Sequence, residues 1–202
     1  MKKKRATKKI KKSFLRENYK KSLDYIRESR KFIWIITIIF FASAIIGFIF
    51  HPPEVTNLIL KYIEEILAKT EGMSPLNLIL FIFFNNIKVG FLGMMYGFAL
   101  GIFPALSIFV NGYVVGYVSS SAVSSSGLGS LLSLLPHGIF ELPAIFISFG
   151  MGLKFGTFLF KEEKMKSFQR FFMNSIRVFV FVVIPLLIIA AIIEGSLIFI
   201  LK

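Results

Sequence analysis

The sequence predicts an all-α fold: a polytopic transmembrane helix bundle of about five spans, with a basic amphipathic arm at the N-terminus and one external amphipathic helix. Three observations carry that reading. Of 202 residues, 55% are hydrophobic and only 17% are charged, whereas a soluble domain is about half apolar and about a quarter charged. The apolar residues fall into runs long enough to cross a hydrocarbon core about 30 Å thick. The net charge of +13 is concentrated, since residues 1–31 hold 14 Lys/Arg against 3 Asp/Glu, so it marks an arm outside the bilayer and no nucleic-acid partner is expected. With 7 Pro and this apolar content, disorder and collagen-like repetition are excluded. The absence of Cys excludes a disulfide framework and a thiolate metal site.

The arm comes first. No small-residue cleavage site follows its basic stretch, so it does not read as a secretory signal. Phe14, Leu15, Tyr19, Leu23 and Ile26 recur at helical spacing among Lys and Arg. That pattern suits a helix lying on an anionic cytoplasmic leaflet, or a solvated tail that only sets orientation. Residues 32–50 are 19 residues without a charge, the first span, with Trp34 as an interface anchor and His51-Pro52-Pro53 as its stop. Val55, Leu58, Ile59, Tyr62, Ile63, Ile66 and Leu67 then follow the i, i+3, i+4, i+7 rule opposite Lys61, Glu64, Glu65 and Lys69, which predicts an external amphipathic helix over 54–70.

Further spans are expected over 76–100, 104–123, 131–160 and 178–200. The stretch SSSAVSSSGLGS reads as a flexible outer loop and KEEKMKSFQR as an inner one. Pro136 and Pro143 should break the fourth span. Residues 161–177, with 5 Lys/Arg against 2 Glu, then share the cytoplasmic side with the arm, as the positive-inside rule requires. The expectation is a multi-pass cell-membrane protein with its N-terminus cytoplasmic and its C-terminus outside.

Of 15 Gly, 12 lie between residues 90 and 156. Gly93, Gly97 and Gly101 are four apart, as are Gly112 and Gly116, and Gly152 and Gly156; with Gly138 they are the expected helix-packing positions. Small residues at that spacing let backbones approach closely in lipid, within one chain or between copies of a homo-oligomer.

Polar residues inside the spans define the candidate site. Counted from the expected ends at 1.5 Å per residue, Asn85, Asn86 and Lys88 lie roughly 14 to 18 Å deep, Asn111 roughly 10 Å above the inner face, and His137 and Glu141 about 9 and 15 Å in. An ionised group at mid-bilayer costs about 2.5 to 3.5 kcal/mol. Lys88 and Glu141 are therefore expected to face each other or a shared wet pocket, with the Asn amides completing the network. The bland alternative is that the Asn side chains only bond helix to helix, at about 0.6 to 2 kcal/mol each. His137 and Glu141 alone are too few for a catalytic zinc centre, and His51 sits at the outer surface. Neither a metal nor another cofactor is expected, and no nucleophile elbow or phosphate-binding loop is present.

Phe84-Asn85-Asn86, Asn111-Gly112-Tyr113-Val114-Val115-Gly116 and Pro136-His137-Gly138-Ile139-Phe140-Glu141-Leu142-Pro143-Ala144 occur in that order, and together they resemble the stage II sporulation protein M family over residues 30–200. The resemblance makes Asn85, Asn86, Asn111, Gly112, His137, Gly138 and Glu141 the family-pattern positions. In sporulating bacteria it implies a membrane anchor that recruits a cell-wall hydrolase complex. Relatives in organisms that do not sporulate, archaea included, generally have no assigned role.

Three functions compete on these grounds. The leading one is a non-catalytic scaffold that recruits a membrane or envelope protein partner in envelope remodelling. The second is a transporter or channel for a small polar solute through a mid-membrane Asn/His/Glu site, although no internal repeat supports it. The third, an intramembrane hydrolase using Glu141 and His137, ranks last for want of a nucleophile and a ligand set.

Overall fold

The computed structural model describes the backbone of residues 2–98 and 101–200, and the side chains of residues 14–98, 101–131 and 138–198. Among the described residues eight α-helices follow in order: α1 (Lys2–Glu28), α2 (Arg30–Ile49), α3 (Pro53–Thr70), α4 (Pro75–Met95), α5 (Ile102–Ser126), α6 (Leu131–Gly156), α7 (Lys164–Val178) and α8 (Ile184–Ile200). There is no strand among the described residues. Among the described residues five helical stretches are long and apolar enough to cross a membrane: α2, α4, α5, α6, and α7 continuing into α8.

Local chemistry sets most boundaries. The α1 helix stops at Ser29, whose hydroxyl donates to Tyr25 O at 2.7 Å, and the chain restarts as α2. Phe50 turns extended ahead of Pro52, and Pro53 opens α3 at the position where a missing N–H costs nothing. Ser74 caps α4 by accepting from Asn77 N–H, followed by Pro75. After a 3₁₀ turn at Tyr96–Phe98, Gly101 takes φ +72°, a left-handed conformation that suits glycine, and α5 begins.

Three expectations are corrected. The Ser-rich stretch is helical through Ser126, because Ser124 and Ser125 turn their hydroxyls back to the carbonyls of Ser120 and Ser121. The break falls at Gly127, at φ +77°, followed by a short 3₁₀ turn over Leu128–Ser130. Pro136 and Pro143 lie within a continuous α6, as membrane helices tolerate when neighbouring helices re-satisfy the freed backbone groups. The inner loop shrinks to residues 161–163, because Phe168, Phe171, Phe172 and Ile176 give α7 an apolar face to bury. A π-helical turn over Phe179–Val183 then joins α7 to α8 without a stop.

Glycines decide how the spans meet. Along α2 and α5, which run in the same direction, a Cβ on Gly112 would overlap Phe40 O, one on Gly116 Ala44 O, and one on Gly47 Tyr113 O. Between α4 and α6, also parallel, Gly97 lies against the Gly152 backbone and Gly93 under the Phe149 ring. The α8 helix runs antiparallel to α4, with Gly195 on Ile79 and Phe179 against Phe91. The α6 helix is the hub: it touches α4 and α8 on one side and α2 through Gly150 and Ile33 on the other. Ile36, Ile108, Phe149, Met151 and Leu187 are wholly buried around it.

Candidate functional site

Asn86, Gly90, Gly93 and Gly97 recur at i, i+4, i+7 and i+11 along α4 and its short 3₁₀ extension, so Asn86 belongs to the stripe that packs on α6. On α6, Glu141, Ser148 and Gly152 recur at i, i+7 and i+11 and form the answering stripe. Where the two stripes meet, Ser148 Oγ donates to Gly90 O at 2.7 Å. Two turns further from α7, the Glu141 carboxyl lies near Asn86 and on the side of α6 that faces Glu194 of α8. Asn86 is 7% exposed, and Glu194 Oε2 is buried without a hydrogen-bond partner among the described residues. The result is a polar seam at the junction of α4, α6 and α8.

The other sequence-derived positions fall as follows. Asn85 sits one residue further round α4, exposed, and its Nδ2 reaches Asn86 Oδ1 only at a long 3.5 Å. Lys88 is also exposed, because two residues beyond Asn86 is roughly 200° around a helix, so the expected Lys88–Glu141 pair does not form. Asn111 is exposed on α5 and donates to Ser107 O of its own helix at 2.8 Å. His137 is in α6, one turn before Glu141, and its side chain lies outside the described residues. Among the glycines, Gly93, Gly97, Gly112, Gly116 and Gly152 make close approaches, and Gly101 turns the chain beside Leu153. Gly156 is buried at the end of α6. Among the described residues a Cβ on Gly138 would meet only Leu142 of its own helix.

A second polar constellation, which sequence reasoning missed, lies at the other end of α6. Lys154 is 4% exposed. Its Nζ is 3.1 Å from Glu28 Oε1, donates to Ser29 Oγ at 3.0 Å, and sits 4.0 Å from the centroid of the Tyr25 ring. Arg170 of α7 reaches the same Glu28 oxygen at 2.9 Å. One carboxylate thus ties α1 to both α6 and α7. Beneath it Tyr25 Oη and Ser175 Oγ are buried side by side, outside good hydrogen-bond geometry and without another protein partner among the described residues. Burial pushes the Tyr25 phenol up from its ordinary range. The available signal was Lys154 itself, a lone cation late in the expected fourth span.

Among the described residues no three His, Asp or Glu side chains stand close enough to hold a metal ion. The polar groups bridge helices, and the apolar stretches are membrane-length, so the fold defines a multi-pass helical membrane protein. The family model for stage II sporulation protein M matches residues 36–197. The chain belongs to that family. An uncharacterized protein of Methanocaldococcus jannaschii, MJ0706, is 35% identical over 153 residues, which cover 69% of this chain and 64% of that protein. The chain therefore spans just under two thirds of that relative's length. No solved structure matches it.

Proposed function

We propose that the chain is a non-catalytic membrane scaffold that recruits an envelope protein partner, as membership of the stage II sporulation protein M family suggests. In this reading it sits in the cell membrane with its N-terminus cytoplasmic and its C-terminus outside, and the basic arm contacts the anionic inner leaflet. The observation that carries it is α3. This 18-residue helix links two spans, buries Ile59, and leaves Leu58, Tyr62 and Leu67 exposed. Exposed apolar groups flanked by Glu and Lys mark contact surfaces.

A photo-reactive residue at position 58 or 62, activated in native membranes, is expected to capture the same envelope protein in repeated purifications, and Leu58→Asp should abolish the capture. Recovery of lipid adducts alone would sink the reading.

A transporter is the second reading. It rests on Asn86, Glu141 and Glu194 meeting inside the bundle while Asn85 and Asn111 are exposed on its helices. Because the chain has no Cys, single cysteines at 85, 111 and 141 report access directly. Labelling of all three by a membrane-impermeant thiol reagent is expected for a water-filled path, and uniform protection removes this reading.

A further inference from the structure

The α1 helix crosses α7 in antiparallel register. Glu28 meets Arg170, Asn18 meets Arg177, and Phe14 meets Phe181 in the π turn leading into α8. Phe179 of that turn packs on Phe91 of α4, so the Phe14 end of the crossing is its membrane-facing end and the Glu28 end faces water. Between the two helices opens a cleft of about 350 Å³ lined by Lys21, Asp24, Tyr25, Glu28, Asn174 and Arg177.

The charges in this cleft are sorted by depth. Arg177 and Lys21 lie toward the membrane, Asp24 and Glu28 toward water. Arg177 is half-buried, held by Asn18 through Nε at 3.1 Å and by Asn174 through Nη1 at 2.5 Å. Both partners are neutral amides, so the guanidinium is oriented without being neutralised, and Nη2 has no partner among the described residues. Glu17, one turn before Lys21 on α1, is bonded to Lys21 at 2.7 Å, and that bond is the chief cause of its lowered pKa. On the watery side, Arg27 bonds only Asp24 Oδ1, while Lys154 and Arg170 both bond Glu28 Oε1. Among the described residues, one oxygen of each carboxylate has no protein partner.

A phospholipid headgroup has the same polarity. Its phosphate is tethered to the glycerol at the membrane, and an ammonium, where present, extends outward. Asp24 is three residues from Lys21, roughly 4.5 Å along the helix axis, a step that a two-carbon linker between phosphate and ammonium covers. We propose that this cleft binds one phospholipid with a zwitterionic, ammonium-bearing headgroup, the phosphate held by Arg177 and Lys21 and the ammonium by Asp24 and Glu28. Phe14, exposed beside Phe181, and the exposed Leu15 next to it in the chain border the acyl chains. Arg suits the phosphate position because its planar fork presents donors in a fixed geometry.

Native mass spectrometry on the full chain in detergent, stripped of co-purified lipid and titrated with phosphatidylethanolamine, phosphatidylglycerol or inorganic phosphate, tests this. One phosphatidylethanolamine should bind per chain, about three- to tenfold tighter than phosphatidylglycerol, the scale of one half-exposed charge contact. Inorganic phosphate at the same concentration should leave no adduct. Asp24→Asn should erase the preference while retaining lipid, and Arg177→Gln should weaken both lipids alike. Thermal melts check that the variants fold, and Lys21→Gln, an exposed site, replaces Arg177→Gln if that variant does not. Equal binding of the two lipids by the native chain, phosphatidylethanolamine binding indifferent to both substitutions, or saturation by inorganic phosphate would each overturn the proposal.

Discussion

Lys154 is a basic side chain buried at the end of an apolar helix and held there by Glu28 and Tyr25 of α1 and by Ser29 just beyond it. Such a group is costly to leave unpaired and cheaper to remove, because an uncompensated buried charge loses its hydration without replacement. Glu28→Gln should therefore destabilise the protein by about 1–3 kcal/mol, Glu28 being partly exposed, whereas Lys154→Met, which removes the buried charge, should cost less. Thermal unfolding in detergent ranks the two, and the reverse order would show that the bridge, not the desolvated lysine, dominates. At Glu141 the relevant partner is Asn86. Glu141→Ala leaves the Asn86 amide without it and should cost about 0.6–2 kcal/mol, while Glu141→Gln keeps an acceptor there and should cost less than half as much. A Gln variant as damaged as the Ala variant would mean that the carboxyl has a further partner.

Glycines matter at the scale of helix pairs, and not all of them equally. Gly97, Gly116 and Gly152 each stand where a Cβ would collide with backbone of the facing helix, and backbone cannot give way as a side-chain tip can. Gly152→Ala should separate α4 from α6 and cost about 1–3 kcal/mol. Gly138→Ala, where a Cβ would make only ordinary contact with Leu142 of the same helix, should be neutral or stabilising by up to about 1 kcal/mol, since Ala is the better helix former. Melting temperatures of the pair check this, and equal losses would sink the distinction. The four-residue glycine spacing is visible in the sequence for Gly93, Gly97, Gly112 and Gly116. Which helix each faces is not, because small-xxx-small spacing describes one surface and says nothing of its partner. The Ser-rich stretch misleads for a related reason: serine is read as a loop former, yet a hydroxyl that bonds the carbonyl one turn back is compatible with helix.

For the whole molecule, four spans separate α1 from residues 161–163, so both must lie on one side of the membrane, while residues 71–74, between α3 and α4, lie on the other. Cysteines placed singly at 20, 72 and 162 should label from two compartments, with 20 and 162 together; any other grouping would contradict the five-span topology. Hydropathy along the chain was enough to number the spans and locate the charged arm. In lipid every backbone N–H and C=O must be satisfied within its own segment, so an apolar run of membrane length has little choice but helix. Pairing is another matter. Rotation of each helix about its axis costs little in that local accounting, and roughly 200° separates Asn86, which meets Glu141, from Lys88, which meets no acid. Depth alone had put Asn85, Asn86, Lys88, Asn111 and Glu141 in one slab. Packing of α4 on α6 and α8 brings Asn86 to Glu141 and Glu141 near Glu194, and the fold of α1 onto α7 creates the Glu28–Lys154–Arg170 lock and the cleft beside it. These contacts arise between segments far apart in the chain, where close backbone approach, absent from any single segment's hydropathy, selects the face each helix presents.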